Sequence, residues 1–210
     1  MHKGLLAATL AAASLGAQAN LIANGSNELP LVGGNIPFWT ETLGSSWGLR
    51  ANSPDPHEGS YYFFAGASAR AILSQTIDLS PYAATIDAGR QQFDFSGWVA
   101  TWPQAPSDTA QIVLTWRAAD NSVLATFDTG EIVSTNVWRQ VTDTRLAPAL
   151  TRSLRIDLVS DRNAGTNNDG YFDALVLQTS TLPVPEPASG AMAALGVAAL
   201  GLLRRRRRAA

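Results

Sequence analysis

Gln92-Phe93-Asp94-Phe95-Ser96-Gly97-Trp98-Val99 is the stretch that decides the fold. Phe93, Phe95, Gly97 and Val99 fall at every second position, with Asp94, Ser96 and Trp98 between them. A period of two sends alternate side chains to opposite faces, so this is a strand with one buried face. The same beat returns on either side. Ile112, Leu114 and Trp116 alternate, with Gln111, Thr115 and Arg117 nearby, and Leu154, Ile156 and Leu158 alternate with Arg155 and Asp157. Asp120-Asn121 lies between Ile112–Arg117 and Val123–Phe127 and marks a hairpin. Ser60–Phe64, Ala71–Leu79, Val137–Val141 and Tyr171–Leu177 supply further strands. Residues 52–58 and 161–170 read as polar loops, and no amphipathic helix interrupts the series. The prediction is an all-β domain over residues 20–178, an antiparallel β-sandwich.

Both ends differ from this middle. Residues 1–19 have a short basic start at His2 and Lys3, an apolar run Gly4–Leu15, and small residues at Ala17 and Ala19. That order is a secretory signal peptide, with the mature chain starting at Asn20. At the other end Thr179–Pro187 is a Pro-rich tether, Ala188–Leu203 an apolar run, and Arg204–Arg208 a basic cluster in the tail 204–210. The apolar run makes a helix of roughly 24 Å, slightly short of a comfortable span. Arginines that cannot cross the hydrocarbon hold that end in the cytoplasm, so 188–203 reads as a transmembrane anchor with a stop.

These ends distort the bulk figures. The 210 residues carry 15 basic and 17 acidic side chains. Without Lys3, Glu186 and Arg204–Arg208 the balance is 9 to 16, a net of −7. An acidic domain argues against nucleic acid and anionic membrane surfaces as partners. There is no cysteine, which removes disulfides, thiolate catalysis and cysteine metal sites.

Pro185-Glu186-Pro187, the Ala/Gly/Leu run and the terminal arginines together resemble the PEP-CTERM sorting signal of Gram-negative bacteria. That resemblance implies recognition by an exosortase after signal peptidase has acted, cleavage near the Pro-Glu-Pro box, and delivery to the cell surface or extracellular matrix of biofilm-forming bacteria. It supplies an address and no activity.

A second resemblance covers most of the mature chain. Asn20-Leu21-Ile22-Ala23-Asn24-Gly25 leads to Glu28 and Ile36-Pro37-Phe38-Trp39. His57-Glu58-Gly59-Ser60-Tyr61-Tyr62 and Leu73-Ser74-Gln75-Thr76-Ile77-Asp78-Leu79 follow, and Asp169-Gly170-Tyr171-Phe172-Asp173-Ala174-Leu175-Val176-Leu177 closes the domain. This order resembles the galactose-binding-like jelly roll of many carbohydrate-binding modules. More distantly, Trp98, Asp120 before Val123-Leu124-Ala125, and Trp138-Arg139 are similar to the F-box-associated glycan-binding domain. The jelly-roll resemblance implies one structural calcium where the first and last strands meet, with Glu28 and Asp173 at ligand positions and Glu58 in the loop that often adds one. Calcium takes six to eight hard oxygens, so backbone carbonyls would complete the shell. The alternative is that these are surface acids, or that Asp173 caps a turn. The polar run 161–169 is a further ion candidate, and equally a plain turn-rich loop.

Sugars present C–H faces that stack on aromatic rings. Trp47, Tyr61, Tyr62, Trp98 and Trp102 are the candidates, against the commoner fate of core packing. Trp98 stands opposite the Phe93/Phe95 face, where a loop or a ligand must cover it; Trp102 abuts Pro103 in a loop. Trp39, Trp116 and Trp138 read as core, and Arg117 and Asp94 have suitable hydrogen-bonding chemistry. Catalysis finds less support. Processing leaves His57 as the one histidine, with no nucleophile-elbow motif beside it, and no spacing singles out a carboxylate pair among Glu28, Glu41, Glu58 and Glu131. The expectation is an exported, non-enzymatic module that binds matrix polysaccharide through Trp98 or Trp102. Its rivals are a structural or adhesive matrix protein and an undetected hydrolase.

Overall fold

The computed structural model describes residues 19–184. The expected signal peptide up to residue 18, the Pro185-Glu186-Pro187 box, the expected anchor run and the arginine tail lie outside the described residues. Ten strands form two sheets. The first sheet contains β1 (Thr40–Leu43), β4 (Arg70–Asp78), β9 (Ser153–Asp161), β6 (Thr109–Arg117) and β7 (Val123–Asp128), adjacent in that order. The second contains β2 (Gly48–Arg50), β3 (Tyr62–Phe64), β10 (Gly170–Thr181), β5 (Gln91–Thr101) and β8 (Arg139–Leu146). From β3 onward the chain crosses between the sheets at almost every step, and only the β6–β7 hairpin stays within one. Apart from the β2–β3 and β6–β7 pairs, neighbouring strands in a sheet are therefore distant in sequence. β4 pairs antiparallel with β9 from Arg70↔Asp161 to Asp78↔Ser153, and β9 pairs in turn with β6.

Each sheet gives one face to a common core. On β5 the alternation reads as expected: Phe93, Phe95, Gly97 and Val99 are buried, while Asp94, Ser96 and Trp98 are only partly so. Leu73 of β4, Ile112, Leu114 and Trp116 of β6, and Leu154, Ile156 and Leu158 of β9 meet them from the first sheet. Burying such a continuous apolar face is the main favourable term for a domain without disulfides. One short helix, α1 (Ala83–Asp87), follows the 3-10 turn Ser80–Tyr82 and places Ile86 in the core.

Several boundaries differ from expectation. β8 starts at Arg139 and ends at Leu146, beyond the predicted 137–141. β10 runs to Thr181, so Thr179 and Ser180 belong to the sandwich and not to the tether. The Thr179 hydroxyl donates to the Gln92 carbonyl at 3.1 Å, and the Gln91 amide donates to the Ser180 carbonyl at 3.0 Å. The hairpin turn is as read: Ala118 N–H donates to Ser122 O, and Asn121 takes a left-handed φ of 66°.

Residues 20–25 lie along β10 outside the ten strands. Leu21 N–H donates to Leu177 O at 2.9 Å, and Leu175 N–H donates to Gly25 O at 3.0 Å. The Asn20 side chain donates to Leu175 O and accepts from Leu177 N–H, both at 2.9 Å. Gly25 sits so close that a Cβ there would fall 2.2 Å from the Leu175 carbonyl oxygen, which is backbone and cannot swing away. Gly25→Ala should therefore lower stability by about 1–3 kcal/mol, the usual cost of overpacking. In a domain of this size that is a drop of several degrees in Tm. An unchanged calorimetric Tm would show that the first segment docks elsewhere.

Candidate functional site

The outer face of the second sheet is not the polar surface that usually covers a half-buried sheet. Tyr62, Ala100 and Tyr171 are buried there, with Phe64, Trp102 and Trp138 packed against them. Tyr62 and Tyr171 lie 5.1 Å apart by ring centroid, and Trp138 meets Tyr62 edge-on at 5.5 Å. The period-two rule explains the set. Trp98, Ala100 and Trp102 share the face opposite Phe93, Phe95 and Val99, and Tyr62 and Phe64 flank the inward Phe63. On β10 the inward side changes phase: Phe172 points in, and so do Leu175 and Leu177. Between them Ala174 has a left-handed φ of 47°, the irregularity of a bulge. Ala174 N–H donates to Asp173 Oδ1 at 2.7 Å, and the Asp173 carboxylate ends up on the outer, aromatic side.

A strap, residues 52–60, links β2 to β3 and lies over this face. Its backbone makes most of the contacts. Asn52 O accepts from Tyr62 Oη at 2.7 Å and from Arg50 Nε at 3.2 Å. Asp55 O accepts from Trp138 Nε1 at 2.8 Å. His57 and Glu58 N–H both donate to Asp173 Oδ2, at 2.8 and 3.0 Å. Ser60 and Tyr61 N–H donate to Glu28 Oε1, at 2.8 and 2.9 Å. Gly59 lies flat on that carboxylate, where a Cβ would come within 2.3 Å of Oε1. The His57 ring stacks on Trp98 at 3.8 Å with 20° between planes and meets Trp138 edge-on at 6.2 Å, while Pro54 and Pro56 are the half-buried residues of the strap.

Charge surrounds the platform. Arg50 Nη1 pairs with Asp169 Oδ1 at 3.1 Å, and its guanidinium lies over Phe64 and Tyr171. Tyr171 Oη also donates to Asp169 Oδ1, at 2.7 Å. Burial pushes the Tyr171 and Tyr62 phenols well above their ordinary range, so both remain hydrogen-bond donors. Burial likewise raises the Asp173 carboxyl to about 7. The backbone N–H groups of Glu58, Ala174 and His57 oppose that rise, and the Glu58 charge adds to it.

The structure sorts the residues expected from sequence. Trp98 and Trp102 share the aromatic face and are both half-buried. Asp94 is on the same side of β5, accepting from Thr144 Oγ1 at 2.8 Å, whereas Arg117 belongs to the other sheet. Trp47 is core, against Phe172, and Tyr61 is exposed. Trp138, expected in the core, covers the outer face instead, because it lies an odd number of positions from the inward Val141. Asp173 and Glu28 each accept N–H groups from the segment that carries Glu58, at two separate points. Glu28 and Asp173 are hard oxygen donors of the kind calcium takes, yet both carboxylates accept backbone N–H groups here. Among the described residues no three His, Cys, Asp or Glu side chains come together as a metal set, so strap carbonyls would have to complete a shell. In the loop 161–170 the acids are engaged by Arg70 and Arg50, and buried Asp108 accepts from Asn163, Ala164 and Asp169 N–H. Arg50 and Tyr171 are not among the binding candidates that the sequence offers, and Asp169 enters there only within the polar run 161–169. Their only signal was position beside aromatic strand residues.

Residues 183–208 match the PEP-CTERM protein-sorting motif. No curated protein matches the chain. Among solved structures, the carbohydrate-binding module TmCBM61, determined with β-1,4-galactotriose, is similar at 14% identity and a TM-score of 0.51, covering 77% of this chain and 99% of that one. A family 16 carbohydrate-binding module is similar at 18% identity and a TM-score of 0.53, covering 75% and 99%. The enzymatically active domain of tailspike protein 4 of bacteriophage CBA120 is similar at 16% identity and a TM-score of 0.57; the match covers 77% of this chain and only 21% of the tailspike chain. At these identities the likeness is one of fold: the domain is a jelly-roll sandwich of the kind found in carbohydrate-binding modules.

Asp173→Ala should strip the acceptor from His57 and Glu58 N–H and free the strap. Each buried donor left unpaired costs about 1–3 kcal/mol unless water reaches it. A lower Tm with a red-shifted tryptophan emission is expected; an unshifted emission would mean that the strap stays in place without Asp173.

Proposed function

We propose that the mature domain is an exported, surface-sorted, non-enzymatic module that binds neutral polysaccharide of the extracellular matrix on the aromatic face of its second sheet. The observation that carries this reading is the cluster of Tyr62, Trp98, Trp138 and Tyr171 on an outer sheet face, bordered by the Arg50–Asp169 pair. Aromatic rings take the C–H faces of a sugar, and fixed polar groups at the border select among hydroxyls. Similarity to a module solved with a galactotriose supports the ligand class. The sorting motif supports the itinerary: export under a signal peptide removed at Ala19, handling by an exosortase in a Gram-negative host, and release near Pro185-Glu186-Pro187. The acidic domain favours neutral or cationic glycans over polyanions.

Affinity electrophoresis against neutral and charged polysaccharides tests the reading. Wild type should be retarded by at least one neutral glycan. Trp98→Ala and Trp102→Ala, folded by their melting curves, should be retarded several-fold less. Normal retardation of both variants would remove the aromatic platform; no retardation of wild type on any glycan would leave a structural or adhesive matrix protein as the better description.

One calcium at the root of the strap belongs to the same reading, with Glu28, Asp173 and Glu58 as its acidic ligands. Its effect would be to tie the first segment of the domain to the last strand through the strap. An ion that binds only the folded state stabilises by about 2.7 kcal/mol at a hundredfold excess over its dissociation constant. Chelation of metal-loaded protein should lower the Tm, and Asp173→Ala should lose that sensitivity. Identical melting curves with and without chelator, on protein shown by elemental analysis to hold calcium, would exclude a structural role for the ion.

A further inference from the structure

The strap makes, with its own atoms, the contacts that a sugar would make on the face beneath it. The His57 ring lies nearly parallel to the Trp98 indole at stacking distance, where the apolar face of a ligand ring would rest. Asn52 O and Asp55 O accept from Tyr62 Oη and Trp138 Nε1, as sugar hydroxyl oxygens would.

We propose that His57 is the plug of this site. In the free protein the strap occupies the aromatic face as an internal ligand, and polysaccharide binds by displacing it. The inference rests on the carbohydrate-binding reading above and adds its regulation.

Two features favour a displaceable cover over a permanent wall. Asn52, Ser53, Asp55, His57, Glu58 and Gly59 are exposed, and Pro54 and Pro56 are half-buried but outside the core clusters, so the strap can lift without opening the core. Apart from the His57 ring, the contacts described above that hold it are to its backbone. Any sequence could make those, so the planar ring on the indole is the specific feature. When the strap lifts about its anchor at Glu58, Trp98, the Tyr62 hydroxyl and the Trp138 N–H are left with unmet partners on one face. A site open only part of the time binds with an affinity reduced by the open fraction, so weakening the plug must tighten binding.

The test uses His57→Ala and His57→Phe in the full domain, with two readouts. Without ligand, acrylamide quenching of tryptophan fluorescence should rise in His57→Ala, stay near wild type in His57→Phe, and not rise when His57→Ala is combined with Trp98→Phe. With the polysaccharide that retards wild type, His57→Ala should bind about two- to tenfold more tightly, the range an aromatic stack contributes. Unchanged quenching in His57→Ala overturns the plug whatever the binding result. Equal or weaker binding by His57→Ala also overturns it, while the retention itself upholds the sugar site. If no variant binds any glycan, the carbohydrate reading fails, and quenching alone decides whether His57 covers Trp98.

Discussion

The register of β10 is the constraint on which the rest of the molecule depends. This strand lies in the middle of the second sheet, so it has no solvent edge and every side chain must choose a face. Phe172, Leu175 and Leu177 fill the core, while Tyr171 and the Asp173 carboxylate build the outer platform. A slip by one residue would exchange these sets, burying a carboxylate among aliphatic groups and exposing phenylalanine. The bulge at Ala174 lets one strand meet both demands, because it changes the phase of the alternation between Phe172 and Leu175. Residues 20–25 then dock on the same strand through Leu21, Gly25 and Asn20. Core, platform and this first segment of the domain thus share one element.

The strap depends on that register in turn. Asp173 holds it at His57 and Glu58, Glu28 holds it two residues later, and both bind backbone amides rather than side chains. Two acids on separate segments therefore clamp one short stretch, and Gly59 is the residue that lets the chain pass over the Glu28 carboxylate. Burial of Asp173 beneath the strap raises its pKa toward 7, and the clamp bonds pull the other way. A cation or a set of N–H donors answers the same electrostatic demand, which is why the acids of a calcium site and of an amide clamp look alike in sequence.

The sequence by itself determined the fold class and the address. Alternation at Phe93–Val99, Ile112–Trp116 and Leu154–Leu158 is a local property of strands with one buried face, so it is readable without knowing any partner. The targeting segments are equally local, since they are read as linear signals by other machinery. Sequence also put Trp98 on the face away from the core and recognised that something must cover it. The cover itself, the grouping of Arg50, Tyr62, Asp169 and Tyr171, and the outward place of Trp138 were decided only by tertiary structure. The physical reason is that the β2–β3 pair, β10, β5 and β8 are neighbours in a sheet while far apart in the chain. Which side chains share a face across such strands depends on pairing register and on one bulge, and neither leaves a mark within a window of a few residues.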